Sequence, residues 1–334
     1  MEDNESNQNE TEHFLASGFV PLVDTFPIVL AVFIVATNGL ALFLFVTKHR
    51  LRNITNTLLV SLAISDLTTG LFGIPFYLVC SATQHKLCMT ATLCWRFTTT
   101  STVLHLLAVT IDRYVAIVHA IRYHTIVTRS RSNAAIFIMW SLSAFVSLIQ
   151  LAWRLDQDEL ERLSEEEREE MIMQYYSVTG VYQVVILVSF FVLPLLFMIY
   201  SYIRIFNIVR YHEKQIKRQN VPSSDGNRKQ SAFDVPAQWK SAIVFLVMTV
   251  VYVMCWLPFF IYELRELLDM FDLPHWAEYV FFYYPRFITS LTNPLIYIIG
   301  KHDFRKALCS RKQDGNGTQM TSLISRGRSS SNMN

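Results

Sequence analysis

Residues 23–47 read VDTFPIVLAVFIVATNGLALFLFVT, with no charge after Asp24. About 20 consecutive apolar residues are enough for a helix to cross the hydrocarbon core of a bilayer. Backbone groups in lipid have to bond within their own segment, so the stretch is a helix and not an open strand. Six further blocks of this kind follow, at about 55–80, 87–119, 132–153, 178–210, 237–264 and 276–299. The pattern predicts an all-α membrane protein, a seven-transmembrane helix bundle. Gly39, Pro75, Pro194, Pro258 and Pro294 fall inside the blocks. Such breakers are costly in soluble helices and tolerated in a membrane bundle.

Charge sets the orientation. Lys48, Arg50 and Arg52 follow the first block, Arg122, Arg129 and Arg131 the third, Arg210, Lys214, Lys217 and Arg218 the fifth, and Lys301, Arg305, Lys306, Arg311 and Lys312 the seventh. Short loops rich in Lys and Arg lie on the cytoplasmic side. Residues 1–22 are therefore an extracellular segment, 23–299 the membrane domain, 300–310 a short amphipathic helix and 311–334 a cytoplasmic tail whose polar Ser, Gly and Asn composition predicts disorder. No cleavable secretory signal is visible in 1–22, so the first helix is expected to do the targeting, to the plasma membrane. Asn4 and Asn9 head acceptor sequons on the outer side and are the expected glycosylation sites. Residues 155–175 carry nine acidic side chains and a thin apolar stripe of Leu160, Leu163 and Met171. With Ser164 and Glu167 forming a capping box, they predict a short separate helix on the outer surface. Charge runs are usually solvating, although an acidic outer face would also steer a basic peptide.

Polar groups at membrane depth mark function by default. Asn38, Asp66 and Asn293 fall at similar depth. With Thr102 and Ser290 as further oxygen donors, Asp66 either holds a hard monovalent cation such as sodium or sits protonated in a structural network. At the inner end of the third block stands Asp112-Arg113-Tyr114, where Arg113 can pair with Asp112 in one state and elsewhere in another, as a bistable switch requires. His105 and His275 have no metal-spaced partners, and no nucleophile–base pair is apparent, so an enzyme is not expected. A membrane transporter is the rival class. It would carry internal repeats, and no repeat between the halves is visible.

These residues, in this order, resemble the rhodopsin-like (class A) G-protein-coupled receptors. The marks are Asn38, LAISD ending at Asp66, Cys88, DRY at 112–114, Trp140, Pro194 and Tyr202, CWLP at 255–258, and NPLIY at 293–297 followed by HDFRKAL and Cys309. The AIRYHTIVT run at 120–128 is somewhat similar to the melanocortin, cannabinoid and adenosine branch. The resemblance implies an extracellular ligand, a shift near Trp256, a swing of helix 6 at Pro258, and a cytoplasmic cleft lined by Arg113, Tyr202 and Tyr297. A heterotrimeric G protein would dock there and release GDP, with arrestin and a receptor kinase as further partners. It also implies palmitoylation of Cys309, which with the amphipathic segment 300–310 would anchor to membrane lipid.

Departures from the family matter. Residues 154–177 hold no cysteine, so Cys88 lacks the usual partner. A free buried thiol is expected there, with Cys80 as the alternative partner. Gln238 and Lys240 stand near the inner start of helix 6, where many members place an acid against Arg113, so a weak lock and raised basal signalling are expected. Trp95 stands where amine receptors carry aspartate, and helix 7 has no lysine for a retinal Schiff base. The expected ligand pocket (Trp95, Thr99, Phe259, Phe260, Glu263, Tyr283 and Arg286) favours an apolar or amphiphilic small molecule over a biogenic amine. Arg286 either binds an anionic ligand group or pairs with Glu263.

Overall fold

The computed structural model describes residues 21–83, 88–154, 160, 162–219, 235–268 and 279–309. Helix α1 is Pro21–Thr47. Helix α2 begins at Ile54–Thr68 and, after a π-helical turn at Thr69–Gly73, resumes as Ile74–Thr83. Helix α3 is Cys88–Val118, and α4 is Arg129–Leu148 with a 3-10 extension to Trp153. Helix α5 comprises Glu165–Leu187, a π turn at Val188–Val192 and Leu193–Gln219. Helix α6 is Val235–Leu268. Helix α7 opens with a π turn at Tyr279–Tyr283 and continues as Tyr284–Gly300, and α8 is His302–Cys309.

Each of the three π turns ends two residues before a proline: Pro75, Pro194 and Pro285. Proline donates no backbone hydrogen bond and its ring crowds the carbonyl four residues back, and a widened turn relieves both problems without breaking the helix. Helix starts are capped by side chains: Asn53 accepts from the Asn56 amide and Thr128 from that of Arg131.

The acidic stretch corrects one expectation. Ser164 and Glu167 do form a capping box, but the helix they start is α5 itself. No separate surface helix intervenes from Ser164 onward. Leaving the bilayer changes which side chains a helix prefers, not its backbone bonding, so the acidic run marks the water-exposed end of α5. Asp156, Asp158, Glu159 and Glu161 lie outside the described residues, as do Asn4, Asn9, His275 and the tail.

Helix α3 runs through the middle of the bundle, against α2, α4, α5 and α6, while α7 closes the ring against α6, α1 and α2. The outward faces stay apolar: Val32, Phe137 and Met254 are each more than 60% exposed. Such surface suits lipid rather than water. By length and composition, six described helical stretches can cross a membrane, in α1 to α6. Helix α7 is not among them; it carries the polar residues Arg286, Thr289, Ser290 and Asn293, all of them buried. At its C-terminal end Gly300 faces Val244 of α6 so closely that a Cβ would sit 2.7 Å from a valine methyl.

Cys88 is not a free thiol. It is disulfide-bonded to Cys80, tying the end of α2 to the start of α3. The bridge is closed by two cysteines eight positions apart, without one from residues 154–177.

Candidate functional site

Three polar layers stack along the bundle, and the one nearest α8 is built around Asp112. Its carboxylate accepts from the Thr55 hydroxyl of α2 at 2.8 Å, from the Tyr123 hydroxyl at 2.7 Å and from Arg113 Nε at 3.0 Å. Tyr123 belongs to the short helical turn Tyr123–Ile126 after α3. Burial, and then the Asp112 carboxylate, push its phenol up to about 12. Arg113 is held to Asp112 as an ion pair and also donates to Thr55. Tyr114 stands half-buried beside His119 and Tyr200. The Tyr202 hydroxyl lies between those of Thr110 on α3 and Thr249 on α6, at 3.2 and 3.3 Å.

Lys301, in the link between α7 and α8, is buried and bonded to the Asn56 side-chain oxygen. Its Nζ lies 5.5 Å from the centre of the Phe245 ring, and the Arg113 guanidinium lies 5.8 Å from the same centre. Burial, then the Arg113 charge, push its amine down to about 7. Tyr297 is fully buried against Phe304 of α8. Arg113 and Lys301 line a cavity of about 920 Å³ at this end of the bundle, and the α6 cation lining it is Lys240. The side chains of Gln238 and Cys309 lie outside the described residues.

The middle layer joins Asn38, Asp66, Ser290 and Asn293. Asn38 donates to the Ser290 carbonyl at 2.9 Å, and Asn293 donates to Asp66 Oδ2 at 3.1 Å. Pro294 follows Asn293 within α7, and Thr102 is buried in α3. The other Asp66 oxygen, the Asn293 side-chain oxygen and Ser65 Oγ are buried without a hydrogen-bond partner. Oxygen donors around one carboxylate, several left unsatisfied, are the chemistry that a hard monovalent cation such as sodium takes, and a protonated Asp66 in a polar network is the other arrangement they allow.

The outer layer centres on Trp256, stacked on Tyr252 and donating to Thr289 at 3.3 Å. Pro258 lies two residues further along α6. The Arg286 guanidinium is sandwiched between Trp95 at 3.8 Å and Phe259 at 4.2 Å. Thr99 bonds back to the Trp95 carbonyl, and Phe260 packs between Phe191 and Trp256. Glu263 does not pair with Arg286. It takes both guanidinium nitrogens of Arg96, at 2.7 and 3.4 Å, and Arg96 also lies over Tyr182. The Tyr283 side chain lies outside the described residues.

Sequence reasoning found Trp95, Phe259 and Arg286, which do come together. It missed Thr55, Tyr123 and Lys301. The AIRYHTIVT run was noted as a likeness, but nothing local says that its tyrosine turns back onto Asp112.

Comparison with known proteins identifies a family. Residues 37–297 match the family described as 7 transmembrane receptor (rhodopsin family). The chain is 28% identical to trace amine-associated receptor 13c of Danio rerio, over 78% of the chain and 76% of the relative. It is 29% identical to the histamine H2 receptor of Homo sapiens, over 90% and 84%. Against the adenosine receptor A2a of Homo sapiens it is 28% identical, over 84% and 70%.

Proposed function

Because this chain belongs to the seven-transmembrane receptors of the rhodopsin family, we propose that it binds an extracellular ligand and promotes nucleotide exchange on a heterotrimeric G protein. The observation that carries the coupling is the buried Asp112–Arg113 pair at the edge of a large cytoplasmic cavity. Arg113 is held by Asp112 and Thr55 at rest and is positioned to turn toward a partner entering the cavity. Between that pair and the outer layer lie Tyr202, Tyr297, the Asp66–Asn293 bond and Trp256.

On this reading the N-terminus is extracellular and the C-terminus cytoplasmic, in the plasma membrane. Residues 23–299 form the signalling domain, Asn4 and Asn9 carry glycans, and Cys309 is lipidated. The Asp66 layer takes sodium as an allosteric modulator, and arrestin and a receptor kinase act on the tail.

The ligand we favour is an apolar or amphiphilic small molecule. Two of the relatives are named for amines and one for adenosine. In this chain Arg286 lies against Trp95, and the carboxylate of Glu263 is already engaged by Arg96. A cationic amine would meet a cation there, whereas an amphiphile with an acidic head would meet a complementary group in an aromatic setting.

Ligand-free nucleotide exchange on a panel of Gα subunits, with wild type and Arg113→Ala, tests the coupling. Exchange that Arg113→Ala abolishes supports it and names the subunit. Exchange absent on every subunit, with and without a lipid and acidic-metabolite screen, and with surface expression verified, removes it.

A further inference from the structure

The cytoplasmic cavity is chemically lopsided. Arg52, Arg113, Arg129, Lys240, Lys301 and Arg305 line it, contributed by the α1–α2 link, α3, α4, α6, the α7–α8 link and α8. Two histidines, His124 and His302, add to them, and Asp303 is the one acidic side chain among the lining residues. The nearest other carboxylate, Asp112, is already committed to Thr55, Tyr123 and Arg113. Arg52, Arg129, Lys240 and Arg305 form no salt bridge with any described residue.

Cations strung along one helix face are a solvated surface. These come from six separate segments and converge on a single concavity, so they repel one another with little counter-charge between them. Such an arrangement creates a strong local positive potential, focused by the low-dielectric walls around it. Guanidinium forks suit phosphate oxygens in bidentate pairs, and ammonium groups act on phosphate as point charges. Arg113 is buried at 7% exposure, so part of the positive charge is fixed in the wall rather than waving in solvent. About 920 Å³ is at the upper end of small-molecule pockets and accommodates a ring bearing several phosphates.

We propose that this cavity binds a phosphomonoester-rich anion, and that the bound anion competes with the G protein for the cavity. The binding stands on the cavity alone, and the competition rests on the coupling proposed above. Helix α8 buries Phe304 and Ala307 and exposes Arg305 and Lys306, as a helix lying at a headgroup layer does. The anion can therefore arrive as the headgroup of a polyphosphorylated inositol lipid or as a soluble polyphosphate. The recognition chemistry is the same for both.

The test uses the full chain in phosphatidylcholine nanodiscs. Binding of soluble inositol hexakisphosphate is measured by calorimetry, and in a second arm nanodiscs carrying phosphatidylinositol bisphosphate are examined by native mass spectrometry for retained lipid. Arg129→Gln combined with Arg305→Gln removes two cations that hold no structural bond to a carboxylate. Arg210→Gln, on the exposed cytoplasmic end of α5 beside Phe206, is the control. Saturable binding in either arm, weakened on the order of tenfold or more in the double variant and unchanged in Arg210→Gln, supports the site, and the responding arm identifies the source. Binding in neither arm, or binding that the double variant leaves intact, overturns it. The same preparations are assayed for Gα nucleotide exchange without any phosphate. Exchange without anion binding removes the site and leaves the coupling. Anion binding without exchange leaves the site and removes the coupling. Exchange that the anion suppresses in wild type and not in the double variant establishes the competition, and suppression equal in both removes it.

Discussion

Gly300 and Val244 hold the C-terminal end of α7 against α6 by having nothing between them. A Cβ at Gly300 would lie 2.7 Å from one Val244 methyl and 3.2 Å from the other. Real carbon contacts do not come that close, so Gly300→Ala must displace the valine or part the helices. Overpacking of this kind costs about 1–3 kcal/mol. Parting α6 from α7 is also the direction in which a partner would open the cavity. Gly300→Ala is therefore expected to melt lower than wild type and to raise ligand-free exchange. A variant that melts at the wild-type temperature with unchanged exchange shows that Val244 simply rotates away.

Tyr123 is the donor to Asp112 that comes from outside the helix bundle. Replacing it with phenylalanine leaves the Arg113 pair in place and removes one charge-assisted bond at a half-buried site, worth about 1 kcal/mol. If the resting state is what that bond stabilises, Tyr123→Phe raises basal exchange by roughly fivefold, the factor that such an energy makes in a two-state equilibrium. The phenol is pushed up to about 12, so it stays protonated and the difference between Tyr and Phe should not vary from pH 6 to 9. Equal basal exchange in the two proteins would remove Tyr123 from the switch.

The Cys80–Cys88 disulfide closes a loop of eight residues. On the chain-entropy account a loop this short contributes roughly 2–3 kcal/mol. Cys80→Ser, Cys88→Ser and the double substitution should each lower the melting temperature by the same amount, because either one breaks the same bond. A reducing agent should bring wild type down to the variants and leave the variants unmoved. Unequal single variants would mean that a lone cysteine does something beyond the bond.

What the sequence discloses follows from how local each signal is. Lipid-length apolar blocks and the basic loops depend on composition alone, and the helices fall where those blocks do. The Asp112–Arg113 pair is adjacent in the chain and equally legible. The boundary of α5 was not, because a charge run looks like a loop whether the backbone continues as a helix or not. Arg96 and Glu263 are separated by 167 positions, and one chain offers no signal that they meet rather than Glu263 and Arg286. Lys301 reads as one more basic residue after α7. Only the fold reveals that it is buried.

The Arg96–Glu263 pair is 11% exposed on both sides, between α3 and α6. Breaking a largely buried pair by neutralising one member leaves the other charge stranded, at a cost of about 3–5 kcal/mol when burial is complete and less here. Arg96→Gln and Glu263→Gln should each lower stability, and the double variant should recover part of the loss, with a coupling of roughly 1–3 kcal/mol. Additive losses in a thermal-melt cycle would mean that the two groups act separately. Arg286→Gln in the same background serves as a comparison, because Glu263 bonds to Arg96 and not to Arg286, so Arg286 should not couple to Glu263.

Lys301 makes stability depend on pH, and the sign is fixed by the direction of its shift. The amine is pushed down to about 7 by burial and by Arg113, opposed by the nearby Asp303 and Asp112 carboxylates. In the unfolded chain an ordinary lysine keeps its proton to about 10.4. Between these values the unfolded state binds more protons than the folded state, so stability rises with pH from about 7 toward 10. Below about 7 both states hold the proton, and the folded state carries the full cost of a buried cation beside Arg113. Lys301→Met removes the ionisable group and keeps much of the apolar stem. Its gain over wild type should be largest at pH 6 and shrink steadily as pH rises to 9. A gain that is flat with pH, or one that grows toward alkaline pH, would mean that Lys301 is charged and compensated in the folded protein. Its bond to Asn56, and not its burial, would then set its protonation.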